Sequence, residues 1–119
     1  MRTEAEIYRD AHEAGMNAAN ECTPEPMVVR YQGADGQMQR DVIYDGVCGF
    51  AWIRMPARGK FVKFLKMNEI GRKSIVESGW RINVDLFNQS MQKKEAYASA
   101  FAKVLRTNNI DAYSESRMD

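Results

Sequence analysis

The chain is poor in the residues from which most catalytic sites are assembled. Cys22 and Cys48 are its only cysteines and His12 its only histidine, in 119 residues. Two thiols cannot staple a fold of this size, so a reduced cytosolic state is expected. One imidazole and no Cys-x-x-Cys pair leave no ligand spacing suited to a metal. No glycine pattern matches a phosphate loop or a dinucleotide fingerprint. Neither a metal nor a cofactor is therefore expected. No run approaches the roughly 18 apolar residues of a membrane span. The opening residues Met1 to Glu6 are acidic and lack an apolar core, so no secretory leader is expected either. The net charge of +1 points to neither a DNA mimic nor a strongly basic nucleic-acid binder. Internal repeats and low-complexity tracts are absent as well.

What is present is the composition of one globular domain, 45% hydrophobic and 28% charged. The organising stretch is Asp45 to Met55. Val47, Gly49, Ala51, Ile53 and Met55 fall on one side, and Cys48, Phe50 and Trp52 on the other. Apolar on both sides, it reads as a central strand covered on both faces. Before it, residues 3–20 read as a helix capped by Thr3, with Ile7, Ala11, Ala14 and Ala18 on one face. Gly15 inside that helix points to a tight contact or a break. Cys22 to Pro26 is a linker. Met27–Tyr31 and Met38–Tyr44 form a hairpin around Gly33–Gly36.

After Pro56–Gly59, residues 60–70 read as a short helix with Phe61, Phe64 and Leu65 on its apolar side and Gly71 as its stop. Ile75 and Val76 suggest a short extended piece. Trp80 to Phe87 alternates as a half-buried strand, with Trp80, Ile82, Val84 and Leu86 inward. Ser90 caps a long helix over 91–107, and residues 110–114 read as a last strand. The expected fold is a single α+β domain spanning 1–119, with a mainly antiparallel sheet of four to five strands and about three helices on one face. Its expected core is Ile7, Val29, Phe50, Trp52, Phe64, Trp80, Ile82, Val84, Tyr97, Phe101 and Leu105.

Several segments together carry a resemblance. They are Thr23–Val29, the Asp-Gly-Val-Cys-Gly-Phe-Ala-Trp run of 45–52, Lys60-Phe61 with Leu65-Lys66, and Gly79-Trp80. The Asn-Gln-Ser-Met-Gln-Lys-Lys-Glu-Ala-Tyr-Ala run of 88–98 and the closing Ser116-Arg-Met-Asp119 complete it. On these the chain resembles a family of small, functionally uncharacterised proteins encoded by tailed bacteriophages. The resemblance implies a phage origin and action in the host bacterial cytoplasm, and it implies no reaction. Glu77-Ser78 departs from it, since related chains carry more glycine before the equivalent of Trp80.

Three functional readings follow. Cys48 is the candidate nucleophile, in a small-enzyme or nucleotide pocket with Trp52 and Trp80. A catalytic thiol needs a base or a helix N-terminus beside it, and His12 lies on a separate helix, so a buried thiol is preferred. The second reading is a basic edge for RNA or DNA, formed by Arg58, Lys60, Lys63, Lys66, Lys93 and Lys94. Lys93 and Lys94 at a helix start also loosely resemble the last helix of double-stranded RNA-binding domains. Lysines flanking an apolar stripe are more often solvated neighbours of the core. The preferred reading is a non-enzymatic accessory protein that binds a host or phage macromolecule, a protein before a nucleic acid, and blunts a host defence.

Overall fold

Thr3 opens the first helix, α1 (Glu4–Glu21), because its hydroxyl accepts the free N–H of Glu6, with Glu4 and Glu6 at the positive end of the dipole. In the computed structural model, the described residues are 2–43, 46, 48–74, 78–87 and 90–119, with backbone alone at 27, 29 and 41–43. They form three helices and two antiparallel sheets, an α+β fold. Expectations that rest on Tyr44, Asp45, Val47, Ile75, Val76, Glu77, Asn88 and Gln89, and on the side chain of Val29, lie outside the described residues.

The buried side of α1 is Ile7, Ala11, Gly15 and Ala19, with Ala14 and Ala18 at its margin. The stripe steps by four residues and passes through the glycine. Gly15 lies under the Tyr97 ring, where an added Cβ would sit 2.6 Å from a ring carbon. That close approach joins α1 to α3 (Met91–Thr107), whose buried side is Lys94, Tyr97, Ala98, Phe101, Ala102 and Leu105. Ser90 caps α3 with its hydroxyl on the Lys93 N–H.

Beneath α3 lies the four-stranded sheet, in the order β4 (Arg72–Lys73), β5 (Trp80–Asn83), β3 (Gly49–Met55), β6 (Tyr113–Met118). Gly49, Ala51, Ile53 and Met55 of β3 are buried against the helices. Gly49 has no room for a side chain, with Met91 of α3 and the Arg117 carbonyl both under 3 Å from an ideal Cβ. A short helix, α2 (Lys60–Met67), buries Phe61, Val62 and Leu65. Its last turn closes through Glu69 at φ 57 rather than through Gly71.

Two strands differ from expectation. β5 ends at Asn83, with one further bond from the Val84 N–H to the Ala51 carbonyl, and Leu86 is left exposed. The last strand starts at Tyr113, because the chain first turns through Asn109 in a left-handed conformation and Ile110 bonds back to Leu105.

The hairpin stands apart. Among the described residues, β1 (Met27–Gln32) and β2 (Met38–Ile43) pair only with each other. The molecule measures 65 × 30 × 20 Å with a radius of gyration of 17.6 Å, against about 13–14 Å for a compact domain of this length. Val28, Tyr31 and Met38 are exposed on the ribbon, and Arg30 faces Arg40 directly across it.

Candidate functional site

Among the described residues, the helices cover the central strand on one face only. In β3, Phe50, Trp52 and Arg54 alternate with the buried set and point to the opposite side of the sheet. Register carries their neighbours onto the same side: Asn83 beside Trp52, Arg81 beside Arg54 and Arg72 beside Arg81. From β6 come Arg117 beside Phe50, Glu115 beside Trp52 and Tyr113 beside Arg54. No described helix lies over this face, and Phe50 is 39% exposed. The expected double cover is therefore corrected. Phe50 is a surface residue and Trp52 is half-buried, because all three helices sit on the Gly49–Met55 side.

The face is built as aromatic rings between guanidinium groups. Arg81 lies over the Trp52 ring, its central carbon 4.0 Å from the centroid. Arg117 is 5.5 Å from the centroid of Phe50. The Trp52 indole donates to Glu115 Oε1 at 2.8 Å, which fixes the ring edge. Arg54 donates to both oxygens of the same carboxylate, at 2.8 and 3.2 Å. Burial alone would raise the Glu115 pKa. Hydrogen bonds from Arg54 and Trp52, and the charges of Arg54 and Arg81, outweigh that and hold it below the usual carboxylate value.

Arg81 is pulled the other way. Desolvation first, then the neighbouring Arg72 charge, lower its pKa, and Arg117 adds to this while Glu115 opposes it. Among the described residues of this face, Arg54, Arg72, Arg81 and Arg117 stand against the single carboxylate of Glu115. Like charges held together on a partly desolvated surface favour an anionic ligand.

The lysines expected to form a basic edge are not brought together. Lys94 is buried, its ammonium on the Gly49 carbonyl at 3.3 Å and 5.6 Å from the Phe50 ring centre. It occupies a position of the α3 core stripe, three and four residues before Tyr97 and Ala98. Lys93 donates to the Ala19 carbonyl at the end of α1, where a cation meets the negative end of the dipole. Both are corrected from phosphate contacts to internal ties, and the likeness to a double-stranded RNA-binding helix goes with them. Lys60, Lys63 and Lys66 are exposed on α2, with Lys66 over the Trp80 ring at 5.3 Å. Trp80 pairs with Met55 and Lys94 meets Gly49, so the two groups lie about 20 Å apart, a strand length. Arg58 is exposed in the turn before α2.

The thiol reading is corrected in part. Cys48 is exposed rather than buried; it lies just before β3 and pairs with Ser90 in an isolated bridge. His12 shares a hydrogen bond with the Tyr97 hydroxyl at 2.6 Å. Trp52 and Trp80 lie on opposite faces of the sheet, so Cys48, Trp52 and Trp80 share no pocket. Trp80 instead packs against the core and donates to the Ile70 carbonyl. Among the described residues no cluster of three or more His, Cys, Asp or Glu is placed to hold a metal, and no helix is long and apolar enough to cross a membrane. No family model, curated protein or solved structure matches the chain.

Sequence reasoning did not bring Arg72, Arg81, Glu115 and Arg117 together as a site, although Arg72 falls in the basic stretch from Arg54 to Lys73. The signal for Arg81 was its outward place in the alternation of Trp80 to Val84. The other three depend on pairings between strands far apart in the chain.

Proposed function

We propose that the protein binds single-stranded nucleic acid on the open face of its four-stranded sheet. The observation that carries this reading is the pair Phe50 and Trp52, two residues apart on a strand face that no described helix covers. The Phe50 ring is exposed beside Arg117 and the Trp52 ring is capped by the Arg81 plane, so that the second base stacks on that guanidinium or displaces it. Unpaired bases stack on aromatic rings and on arginine planes, while neighbouring arginines take the phosphates. Two residues of strand advance about 6.8 Å, twice the 3.4 Å rise of a stacked strand. That spacing suits bases splayed apart one per ring. A duplex hides its base faces, so the same surface discriminates against it. In the phage setting that the resemblance implies, the ligand is a host or phage transcript or an exposed single strand, and its sequestration blunts a host defence.

The test is fluorescence anisotropy of labelled single strands and duplexes at low salt. Tighter binding of single strands, weakened about tenfold by Trp52→Ala or Phe50→Ala, supports the reading. Binding that survives both changes and is lost on charge reversal of Lys60, Lys63 and Lys66 moves the interface to α2.

The ribbon favours a second reading, contact with a protein partner. Val28, Tyr31 and Met38 are exposed on a hairpin that no other described element covers, and an isolated hairpin is marginal in water. A photo-crosslinker at Met38 should then capture one partner, and Val28→Asp should abolish capture. Labelling indifferent to Val28→Asp speaks against it.

A further inference from the structure

We infer that the cleft beside Tyr113 receives a third nucleotide of the bound strand, one whose base carries an exocyclic amino group. This rests on the stacking reading of the sheet face. The cleft, about 550 Å³, lies where β3 runs out into Pro56 and Arg58, and its other walls include Gly79, Asp111 and Tyr113. It is continuous with the face, because Arg54 and Tyr113 belong to both and pair directly across β3 and β6. Phe50, Trp52 and Arg54 advance in equal steps along β3. A strand laid over the first two reaches the cleft at its third nucleotide.

The cleft holds the parts that a nucleotide needs. The Tyr113 ring is 55% exposed and has the Arg106 guanidinium 5.3 Å from its centre. Asp111 lines the same cleft as Tyr113, and a carboxylate offers acceptor oxygens there, about four lone-pair sites when ionised. A carboxylate accepts from the exocyclic amino group of cytosine and, by the same chemistry, of adenine or guanine. Unpaired uracil or thymine offers it only the ring N3–H, so bases with an amino group are preferred rather than exclusively bound. Arg58 is exposed and makes no hydrogen bond or ion pair among the described residues. Its charge suits the phosphate, which Asp111 repels toward that side of the cleft. A base against Tyr113 and a phosphate on Arg58 account for the site with one ligand.

The experiment measures the affinity of the full chain for UU, UUU, CUU and UUC ribo-oligonucleotides, with backbone amide shifts followed by NMR. Both trinucleotides with a terminal cytidine are used because either end of the strand can enter. Expected are dinucleotide shifts centred on Phe50 and Trp52, then a gain of about tenfold with a terminal cytidine, larger than with UUU, together with new shifts at Gly79 and Tyr113. In Arg58→Ala and Tyr113→Leu the ratio of trinucleotide to dinucleotide affinity falls toward one. In Asp111→Asn the preference for cytidine over uridine is lost. A third nucleotide that adds no affinity and leaves Gly79 and Tyr113 unshifted, while the dinucleotide still perturbs Phe50 and Trp52, overturns the cleft assignment alone. No shift at Trp52 with any oligonucleotide overturns both readings.

Discussion

Gly15, Glu115 and the pair Trp52 and Phe101 show how single residues divide between holding the fold and exposing the face. Alanine is the better helix former by about 1 kcal/mol, yet at position 15 its Cβ would meet the Tyr97 ring. Gly15→Ala is therefore expected to lower the melting temperature, read by circular dichroism, and a rise would show that the contact yields. Glu115 titrates below the usual carboxylate value because Arg54 and Trp52 donate to it. Its contribution to stability is complete above the unfolded value of about 4.3 and is lost as pH falls through the depressed folded value. Urea unfolding should then lose less stability between neutral and acid pH in Glu115→Gln than in the parent chain. An equal loss in both would place the acid sensitivity elsewhere. Phe101 is fully buried, so Phe101→Ala should cost about 3–5 kcal/mol. Trp52 is half-buried, and Trp52→Ala should cost less and remain folded while losing ligand. A Trp52→Ala chain as unstable as Phe101→Ala would mean that the ring is core after all.

At the scale of elements, the helices and the central strand were legible because their signals are local. Thr3 and Ser90 mark helix starts by capping chemistry, and the period of Tyr97, Phe101 and Leu105 marks the buried side of α3. Whether β3 was covered on one face or two was not legible. Phe50 and Trp52 are as apolar as core residues, and what exposes them is the side on which the helices pack. Lys94 misled in the reverse direction, since a lysine in the core stripe is indistinguishable by type from one in solvent. Arg72, Arg81, Glu115 and Arg117 meet only through the β4–β5–β3–β6 order, which pairs residues as far apart in the chain as Phe50 and Arg117. The hairpin was legible as a hairpin, but its separation from the main sheet was not. Paired among the described residues only with itself and carrying Arg30 opposite Arg40, the ribbon should open at lower free energy than the core. Hydrogen exchange should be fast across β1 and β2 and slow across α3 and β3. Equal protection would indicate a partner or packing that the isolated fold does not supply.

At the scale of the molecule, a nearly neutral chain concentrates arginine on one face, so affinity should be local and salt-dependent rather than a property of net charge. If Arg72, Arg81 and Arg117 each take a phosphate, the logarithm of affinity should fall with the logarithm of salt at a slope of about −2 for a single strand, and Arg117→Ala should reduce it by about 0.7. A slope of zero would point to an uncharged ligand. The most direct test of the open face uses the two tryptophans as reporters on opposite sides of one sheet. An oligonucleotide about 8 nucleotides long, titrated at low salt, should quench the intrinsic fluorescence. The quench should persist in Trp80→Phe and vanish in Trp52→Phe. Emission that does not respond to the oligonucleotide, or a response that follows Trp80 instead, would contradict the account.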